Sequence, residues 1–367
     1  MLNKMGITQN EVFKPLIINE LDDYSATVLN DLKQIPSLTI HDTIRSQVSD
    51  LIKLRSPGRQ WSTQELANGI NDFFGDQAPS EYGTWVYYPW RNSLVHILPE
   101  EEFIQVRTAR NKYVITAEEQ NTLRNKKIGI IGLSVGQSVA LTLALERGCG
   151  ELRLADFDEL ELSNLNRIRS GVHNIGIKKS ILAAREIAEI DPYLKVVLYN
   201  EGIQENNIDD FFQNGGQLDL LIEECDDIAV KIKSRIKAKN LSIPVLMDTS
   251  DRGMIDVERF DLEPLRPILH GFLKKFGEES ELVAKLATQK NEILMSLLDF
   301  TQLSQRAQNS ILEIGKTITS WPQLASSVIL GGGACGYFSR MILLGNQIAS
   351  NRYYIDLEKI SKNNHAS

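Results

Sequence analysis

The sequence predicts an α/β fold, in which a mostly parallel β-sheet is covered by helices on both faces, preceded by an N-terminal α+β region. From residue 127 onward, short apolar runs alternate with longer segments of helical periodicity. Strands that alternate with helices form parallel sheets, because each crossover helix packs on the sheet that it connects. Before about residue 100 this alternation is absent, and helical segments occur beside aromatic, strand-like runs.

The N-terminal region, residues 1–102, is expected to form a separate unit whose role the sequence does not indicate. Apolar spacing predicts two helices, over 22–33 and 63–74. Ser62 and Glu65 form a capping-box pattern at the start of the second helix. Two further runs predict strands or buried aromatic packing, at 85–90 and 94–98.

Residues 103–367 are predicted to form the parallel-sheet domain, with a helical insertion at about 270–320. The apolar runs predict strands at 127–131, 151–155, 195–199, 218–222 and 244–247. Helical periodicity predicts helices at 116–124, 138–146, 178–190 and 323–345.

Composition excludes several classes of protein. A hydrophobic content of 42% supports ordinary globular packing, and a net charge of −8 argues against a surface that coats DNA, because phosphate binding needs clustered Lys and Arg. One local basic groove is still compatible with that charge, so tRNA is not excluded. No membrane segment is expected, because the most apolar late run, 328–344, is short and contains Arg340 and three glycines.

The cysteines indicate a reducing compartment. Cys149, Cys225 and Cys335 form an odd, sparse set without a CxxC pair, which excludes a four-thiolate zinc site and argues against a disulfide scaffold. The polar N-terminus lacks the apolar core of a signal peptide. We therefore expect a cytoplasmic protein.

The first feature that indicates a ligand is the turn after the strand at 127–131. Gly132 ends this strand, and a residue without Cβ permits the sharp turn into a helix whose free N–H groups can meet phosphate. Ser134 and Gly136 complete the candidate turn, whose sequence GLSVGQ matches the GxGxxG pattern in part. A tight strand–helix turn without a ligand explains the same residues equally well.

Asp156 and Asp158 follow the second strand of this unit. A carboxylate at the position of Asp156 accepts hydrogen bonds from ribose hydroxyls, in NAD and ATP alike. Asp158 could contact ribose or metal, or it could cap the turn that follows. Strand, turn, helix, strand and acidic tip together predict a Rossmann-like nucleotide-binding unit.

Four polar residues further along indicate phosphate binding: Asn164, Asn166, Arg167 and Lys179. Arg offers a planar fork for phosphate oxygens, and Asn can also donate. Lys179 lies at the start of a predicted helix, where the helix end also favours an anion. Singly, such residues are most often solvated surface groups, but their clustering favours a phosphate site.

Asp226 follows the apolar run at 218–222, at the carboxyl end of a predicted strand. Ligands bind at the carboxyl ends of strands in open α/β sheets, and an acidic group there can hold Mg²⁺ over phosphates. Asp226 is therefore the candidate metal ligand. A solvent-facing acid in a loop is the alternative interpretation.

These motifs resemble those of the ubiquitin-activating-enzyme superfamily, in its ThiF/MoeB/HesA branch, over roughly 104–265 and again at 321–346. The family block D-x-D-(x)4-S-N-L-x-R corresponds to DFD at 156–158 and SNLNR at 163–167. The family motif G-x-x-K corresponds to GIKK at 176–179, and the strand ending in D-C-T-D corresponds to EECD at 223–226. The family motif R-x-x-R corresponds to RTAR at 107–110.

The resemblance implies that the protein binds ATP and Mg²⁺ and adenylates a carboxylate, forming acyl-AMP and pyrophosphate. It implies that charge on the phosphates is offset by Arg110, Arg167, Lys179 and Mg²⁺. It also implies that Asp156 and Asn164 hold the nucleoside. It further implies a homodimer in which Arg110 reaches into the neighbouring subunit's active site. Phosphoryl chemistry of this kind needs positioning and charge neutralisation rather than a protein nucleophile.

The sequence departs from the family pattern at three points. The family glycine turn G-x-G-G-x-G corresponds to GLSVGQ at 132–137, which contains only two glycines, and the paired CxxC zinc motif is absent. No cysteine lies between Cys225 and Cys335, where members that form a thioester carry their nucleophile. We therefore expect the chain to stop at the acyl adenylate, or to pass it to a nucleophile from elsewhere.

The identity of the acid stays open at this point. It could be the C-terminus of a small β-grasp carrier protein, a small carboxylic acid, or a modified nucleoside in tRNA. Two other classes of function are compatible with the first βαβ unit: an NAD(P)-dependent oxidoreductase, and a non-catalytic nucleotide-binding partner subunit. The SNLNR block and Asp226 have no role in an oxidoreductase, so that class ranks lower.

Overall fold

The computed structural model of the chain describes residues 10–19 and 23–363, which fall into two compact units. The first unit consists of Met1–Glu118 with Ala188–Tyr193, and the second of Glu119–Ile187 with Leu194–Ser367. The domain boundary that we placed between 102 and 103 stays a prediction, since compactness divides the chain further along. Residues 1–9 of the polar N-terminus lie outside the described residues. Residue 22, where the first helix was expected to begin, also lies outside them.

The first unit is an α+β arrangement built on a four-stranded sheet with the order β1-β3-β4-β2. Strands β1, β3 and β4 pair antiparallel, and β2 pairs parallel to β4. In chain order its elements are β1 (Leu16–Ile18), α1 (Asp23–Lys33), β2 (Thr39–Asp42), α2 (Ile44–Arg55), α3 (Thr63–Phe74), β3 (Thr84–Tyr88), β4 (Ser93–Ile97) and α4 (Glu100–Arg107).

Local sequence signals explain several of these elements. The capping box at the start of α3 is confirmed, since the Ser62 hydroxyl accepts the Glu65 N–H and the Glu65 carboxylate accepts the Ser62 N–H. The aromatic run forms β3, and Trp85 and Tyr88 are buried, as expected for core packing. The sequence analysis missed β1, β2, α2 and α4.

The second unit contains a seven-stranded sheet with the order β11-β10-β9-β8-β5-β6-β7. Its strands are β5 (Lys127–Ile131), β6 (Glu151–Ala155), β7 (Lys195–Tyr199), β8 (Leu220–Glu223), β9 (Val245–Thr249), β10 (Met254–Glu258) and β11 (Asn351–Tyr354). The helices from residue 117 onward are α5 (Ala117–Leu123), α6 (Gly136–Glu146), α7 (Lys179–Ile190), α8 (Ile208–Gln213), α9 (Ile228–Asn240), α10 (Leu282–Leu298), α11 (Gln305–Ile311), α12 (Ala325–Leu343) and α13 (Leu357–Asn363).

The predicted mostly parallel sheet is confirmed. Strands β5 to β9 pair parallel to their neighbours, and β10 and β11 add an antiparallel edge. Adjacent residues of β5 show that both faces are covered: Ile130 faces Gly136 of α6, whereas a Cβ on Gly129 would collide with Phe211 of α8 and with Leu218. The α/β fold class is therefore correct.

The sequence analysis missed β10 because its sequence, MIDVE, does not read as an apolar run. Asp256 and Glu258 are buried within it, and each is paired with a cation: Asp256 with Arg352, and Glu258 with Arg235. Pattern recognition treats such acids as surface residues, so buried charges conceal the strand.

Strand order reverses at β5, because β6 and β7 extend the sheet on one side whereas β8 and β9 extend it on the other. A crevice at the carboxyl ends of the strands forms at such a reversal, and ligands of open α/β sheets bind there. None of the helices in the described part of the chain combines the length and apolar character that crossing a bilayer requires.

Candidate functional site

The turn after β5 approaches the end of β8 so closely that it requires glycine. Gly132 has φ of +87°, and a Cβ built on it would lie 2.8 Å from the backbone of both Glu224 and Cys225. Its N–H donates to the carbonyl oxygen of Ala155 at the end of β6, 2.9 Å away. The predicted role of Gly132 in a sharp turn is confirmed, and the turn connects the ends of three neighbouring strands.

Helix α6 follows directly and begins at Gly136. Val135 precedes it without any side-chain cap, so no side chain satisfies the first N–H groups of this buried helix. A Cβ on Gly136 would lie 2.8 Å from the Ile130 side chain, which explains why a glycine is needed for the helix to pack on β5. Uncapped N–H groups beside a glycine turn are suited to binding an anion.

Asp156 organises this turn from the end of β6. Its two carboxylate oxygens accept the N–H groups of Leu133, at 2.6 Å, and of Asp158, at 2.8 Å. Burial raises the pKa of Asp156, and these two hydrogen bonds oppose the shift. Each oxygen keeps a second lone pair, so the carboxylate could still accept a ribose hydroxyl while it holds the turn in place.

Asp158 and Lys179 form an ion pair next to the turn. The Lys179 ammonium lies 2.8 Å from the Asp158 carboxylate, and the Lys179 side chain is only 8% exposed. Helix α7 begins at Lys179, whose N–H also donates to the Asp158 carbonyl oxygen. Lys179 is therefore held at a helix start, and its charge is already partly neutralised.

Arg167 joins the turn to the segment after β6. Its guanidinium donates to the Ser134 hydroxyl at 3.0 Å and to the Asn166 side-chain oxygen at 2.9 Å. Burial lowers the pKa of Arg167, and the negative charge of Asp226 opposes this shift. Arg167 therefore contacts Ser134 of the β5 turn and lies close enough to Asp226 for its charge to act on the guanidinium. Groups from the β5 turn, the SNLNR segment and the end of β8 thus lie near one another.

The two asparagines of this segment make structural contacts. The Asn164 side chain is buried and accepts the Glu161 N–H at 3.0 Å, which caps a 3-10 turn. The exposed Asn166 donates to the Gln323 carbonyl oxygen at 2.7 Å. The sequence indicated phosphate contacts for both, whereas in the structure each has a protein partner through at least one atom.

Asp226 differs from its neighbours at the end of β8. The next residue, Asp227, caps α9 by accepting the N–H groups of Ala229 and Val230. Asp226 is exposed and makes no hydrogen bond or ion pair with the residues that the structure describes. Its charge is therefore available to a ligand.

The site could hold Mg²⁺ through one carboxylate together with the phosphates of a bound nucleotide, but not through protein ligands alone. The described residues contain no group of three or more His, Cys, Asp or Glu side chains that could hold a metal on their own. Mg²⁺ is commonly bound by one or two carboxylates together with substrate phosphates. A free carboxylate at Asp226 beside an anion-binding turn matches that pattern.

Three buried carboxyl groups at this edge, which form two separate features, were not predicted from the sequence. Glu223 lies between Lys231, at 2.7 Å, and the buried Arg235. Burial would raise the pKa of Glu223, but these cations offset it and hold the pKa at about 2. The adjacent acids of EECD were the only signal in the sequence, and it did not show that Glu223 lies in the core.

Glu224 and Asp248 form the second buried feature. The Asp248 N–H donates to the Glu224 carboxyl at 2.7 Å, and both oxygens of the Asp248 side chain lack a hydrogen-bond partner. Burial raises the pKa of Asp248 to about 7, and burial together with the charge of Asp248 raises that of Glu224. At least one of the two is protonated near neutral pH.

The three cysteines and Arg110 are the remaining residues that the sequence singled out. Cys149 and Cys335 are buried, Cys225 is half-buried, and all three are free. Burial raises the pKa of the Cys225 thiol, which disfavours the reactive thiolate. Arg110 is exposed, in the turn Ala109–Asn111 of the first unit. The role of Arg110 in a neighbouring subunit stays a prediction.

Comparison with known proteins identifies relatives of differing length. The chain is 40% identical over 342 residues to an uncharacterized protein of Mycobacterium tuberculosis (strain CDC 1551 / Oshkosh). The aligned residues make up 93% of this chain and 45% of that protein. It is also 26% identical over 178 residues to tRNA threonylcarbamoyladenosine dehydratase of Bacillus subtilis (strain 168). That alignment covers 46% of this chain and 69% of the dehydratase. The chain thus spans less than half the length of the mycobacterial relative.

Among solved structures, the chain is similar to the E. coli tRNA N6-threonylcarbamoyladenosine dehydratase crystallised with ATP. The TM-score is 0.46 at 16% identity, covering 65% of this chain and 95% of that one. A family model described as ThiF family matches residues 107–274, which include the turn, the SNLNR segment and Asp226. Through these residues, the segment 107–274 is similar to the ThiF family.

Proposed function

We propose that this chain binds MgATP at the carboxyl edge of its seven-stranded sheet and adenylates a carboxylate. A substrate carboxylate oxygen attacks the α-phosphorus, the bond between the α-phosphate and the bridging oxygen breaks, and pyrophosphate leaves with the electron pair. The products are acyl-AMP and pyrophosphate, and no proton needs to be transferred. The match of residues 107–274 to the ThiF family model supports this class of reaction.

One observation carries the proposal: Arg167 and the unpaired Asp226 lie within each other's field beside an uncapped helix start. The Asp226 carboxylate makes no hydrogen bond or ion pair with the described residues, so the structure assigns it no role in holding the fold together. Together, a cation, a free carboxylate and free N–H groups offer what a metal-bound triphosphate needs.

Each group would then have a distinct task. The N–H groups at the start of α6 would bind phosphate oxygens, and Arg167 would offset charge that develops on the α-phosphate. Asp156 would accept a ribose hydroxyl while it holds the Leu133 N–H. Mg²⁺, held by Asp226, would neutralise the departing pyrophosphate. Lys179 would act mainly through Asp158, because their ion pair already uses its ammonium.

We further propose that the active unit is a homodimer in which Arg110 completes the partner's site. Arg110 is an exposed cation, and its charge is not required for the core of its own unit. Mixing an inactive Arg110→Ala protein with an inactive Asp226→Asn protein should then restore part of the activity, since some mixed dimers would contain one intact site. Two monomers that act alone would show no recovery.

The test of the reaction is ATP–pyrophosphate exchange, measured with a panel of carboxylic acids. Exchange should require both an acid from the panel and Mg²⁺, and Asp226→Asn should abolish it. Lys290→Gln, which neutralises an exposed lysine on α10, should leave exchange unchanged. Binding of NAD⁺ in place of ATP would support an oxidoreductase and contradict the proposal.

A further inference from the structure

A cavity lies at the same edge of the sheet as the proposed nucleotide site, where β9 and β11 end. Its volume is about 840 Å³, and it is bordered by residues 250–253, 303–307 and 355–359, by Trp321, Pro322 and Leu324, and by the first turns of α12. Sites for small organic ligands commonly measure 300–1,000 Å³. The cavity is therefore large enough for a molecule of drug-like size.

The cavity is adjacent to the proposed nucleotide site. Strand β9 pairs parallel to β8, so the two strands lie roughly 4.8 Å apart in the sheet, and Asp226 follows the end of β8 by three residues. Asn166, the neighbour of Arg167, donates to the carbonyl oxygen of Gln323 at 2.7 Å, and the flanking Trp321, Pro322 and Leu324 line the cavity. One short segment, 321–324, thus borders both sites.

The acids that line the cavity are already neutralised or hydrogen-bonded. Asp251 accepts the N–H and the hydroxyl of Ser304 at 2.9 and 2.6 Å, and Asp356 is paired with Arg252 at 2.7 Å. Glu358 lies 3.8 Å from Lys362. Each of these carboxylates therefore has a hydrogen-bond or ion-pair partner within the chain.

The cations that line it are not all neutralised. The side chains of Arg306 and Lys359 are exposed and make no hydrogen bond or ion pair with any residue in the described ranges. The uncompensated charge of this cavity is therefore positive, although the whole chain carries a net charge of −8. An anion is the complementary ligand.

The remaining lining is largely apolar. Trp321 and Leu330 are half-buried, and Leu324 and Leu357 are 66% and 60% exposed. The Ser250 hydroxyl is buried without a hydrogen-bond partner and also lines the cavity. A ligand with an apolar or aromatic body would cover these side chains, and a polar group on it could satisfy Ser250.

We propose that this cavity binds the acid that the chain adenylates, and that this acid is an organic anion with a large apolar or aromatic body. This assignment rests on the proposed function, because it treats the cavity as the acid site of the same reaction. A short-chain acid would fill only a small part of the volume. A polyanion such as tRNA would meet the acids of the lining as well as its cations.

The test uses 8-anilinonaphthalene-1-sulfonate, an aromatic anion whose fluorescence rises in apolar sites. It should bind the intact chain with one-to-one stoichiometry. Arg306→Gln should weaken binding by about tenfold, as expected for the loss of one charge-assisted contact. Lys290→Gln, which removes an exposed cation outside the cavity, should bind the probe like the unmodified protein.

Trp321 provides a local reporter. Trp61, Trp85 and Trp90 all lie in the first unit, so Trp321 is the tryptophan of the second unit. Energy transfer from tryptophan to the bound probe should fall in Trp321→Phe, because Trp321 borders the cavity. Equal effects of Arg306→Gln and Lys290→Gln, or energy transfer that Trp321→Phe leaves intact, would show that the probe binds elsewhere and would overturn the proposal.

Competition identifies the class of acid. Decanoate should displace the probe, whereas an octapeptide that ends in Gly-Gly with a free carboxylate should not. Displacement by the peptide but not by decanoate would overturn the proposal and indicate a protein tail. Calorimetry with MgATP distinguishes failure of the cavity assignment from failure of the proposed function. If Arg306→Gln binds both MgATP and the probe like the unmodified protein, only the cavity assignment is wrong. If the unmodified protein does not bind MgATP, the proposed function is wrong.

Discussion

The carboxyl ends of β6 and β8 both carry two nearby aspartates, yet they differ in how those charges are used. After β6, Asp156 accepts two backbone N–H groups and Asp158 pairs with Lys179. After β8, Asp227 caps a helix, but Asp226 has no protein partner among the described residues. The comparison teaches that paired charges shape the site, and that an unpaired charge is left for the ligand.

The largest expected effect comes from a paired charge in the core. Glu223→Gln should lower the free energy of unfolding by about 3–5 kcal/mol, because Lys231 and Arg235 would lose their shared buried carboxylate. Urea denaturation followed by circular dichroism measures this change. As a control, Glu205→Gln, which removes an exposed pair with Lys233, should change stability little. Equal effects would contradict the assignment of Glu223 to a structural network.

The next effect sharpens the comparison at the unpaired charge. Asp226→Asn should weaken binding of MgATP by roughly 10–200-fold, as expected for the loss of one charged contact. The free energy of unfolding should stay the same, since Asp226 makes no hydrogen bond or ion pair with the described residues. Calorimetric titration and urea denaturation on the same sample separate the two. A variant that loses stability but keeps its affinity would place Asp226 among the structural acids.

A third prediction concerns the pH dependence of stability. The pKa of Asp248 rises on folding from its ordinary value of 3.8 to about 7, so the folded chain keeps a proton that the unfolded chain releases. The free energy of unfolding should therefore fall as pH rises from about 4 to about 7, and level off above. Glu224, whose pKa is also raised, contributes with the same sign.

Asp248→Asn should flatten this dependence and stabilise the chain above pH 7 by roughly 1–3 kcal/mol, because the amide stays neutral. Denaturation midpoints between pH 4.5 and 8 provide the measurement. Asp209→Asn, at an exposed position, serves as the control and should keep the slope of the unmodified protein. If Asp248→Asn kept it as well, the buried carboxyl would not be the titrating group.

The smallest effect belongs to the neighbour of the unpaired aspartate. Asp227→Ala should cost about 1 kcal/mol of stability, the typical loss of a helix N-cap, because it removes the acceptor of two N–H groups at the start of α9. Its affinity for MgATP should stay within twofold of the original. Loss of affinity comparable to that of Asp226→Asn would show that the two aspartates act as a unit.

Sequence reasoning recovered what periodicity and motif spacing encode. Strands β5, β6 and β7 have their predicted bounds, and the capping box of α3 forms as expected. Arg167, Ser134 and Asp226, which the motifs placed in one candidate site, also lie near one another in the structure. These features depend on local pattern, or on the rule that the ends of parallel strands share one edge.

What escaped the sequence depends on partners that lie far apart along the chain. Strand β10 was missed because its buried acids pair with Arg235 and Arg352. Asn166 was assigned to phosphate because nothing in the sequence shows its contact with Gln323, 157 positions away. Likewise, the sequence does not show that the Arg306 side chain has no hydrogen bond or ion pair with the described residues, because the partners of the nearby acids Asp251 and Asp356 are known only from the structure. Residue type indicates a possible role, but the partner determines it.

The most direct test of the central claim is a calorimetric titration of the unmodified chain with ATP and with NAD⁺, each with and without Mg²⁺. If the unpaired Asp226 serves a metal-bound triphosphate, ATP should bind at least tenfold more tightly with Mg²⁺ than without it, and NAD⁺ should give no binding heat. Binding of NAD⁺, or binding of ATP that Mg²⁺ does not strengthen, would contradict the account.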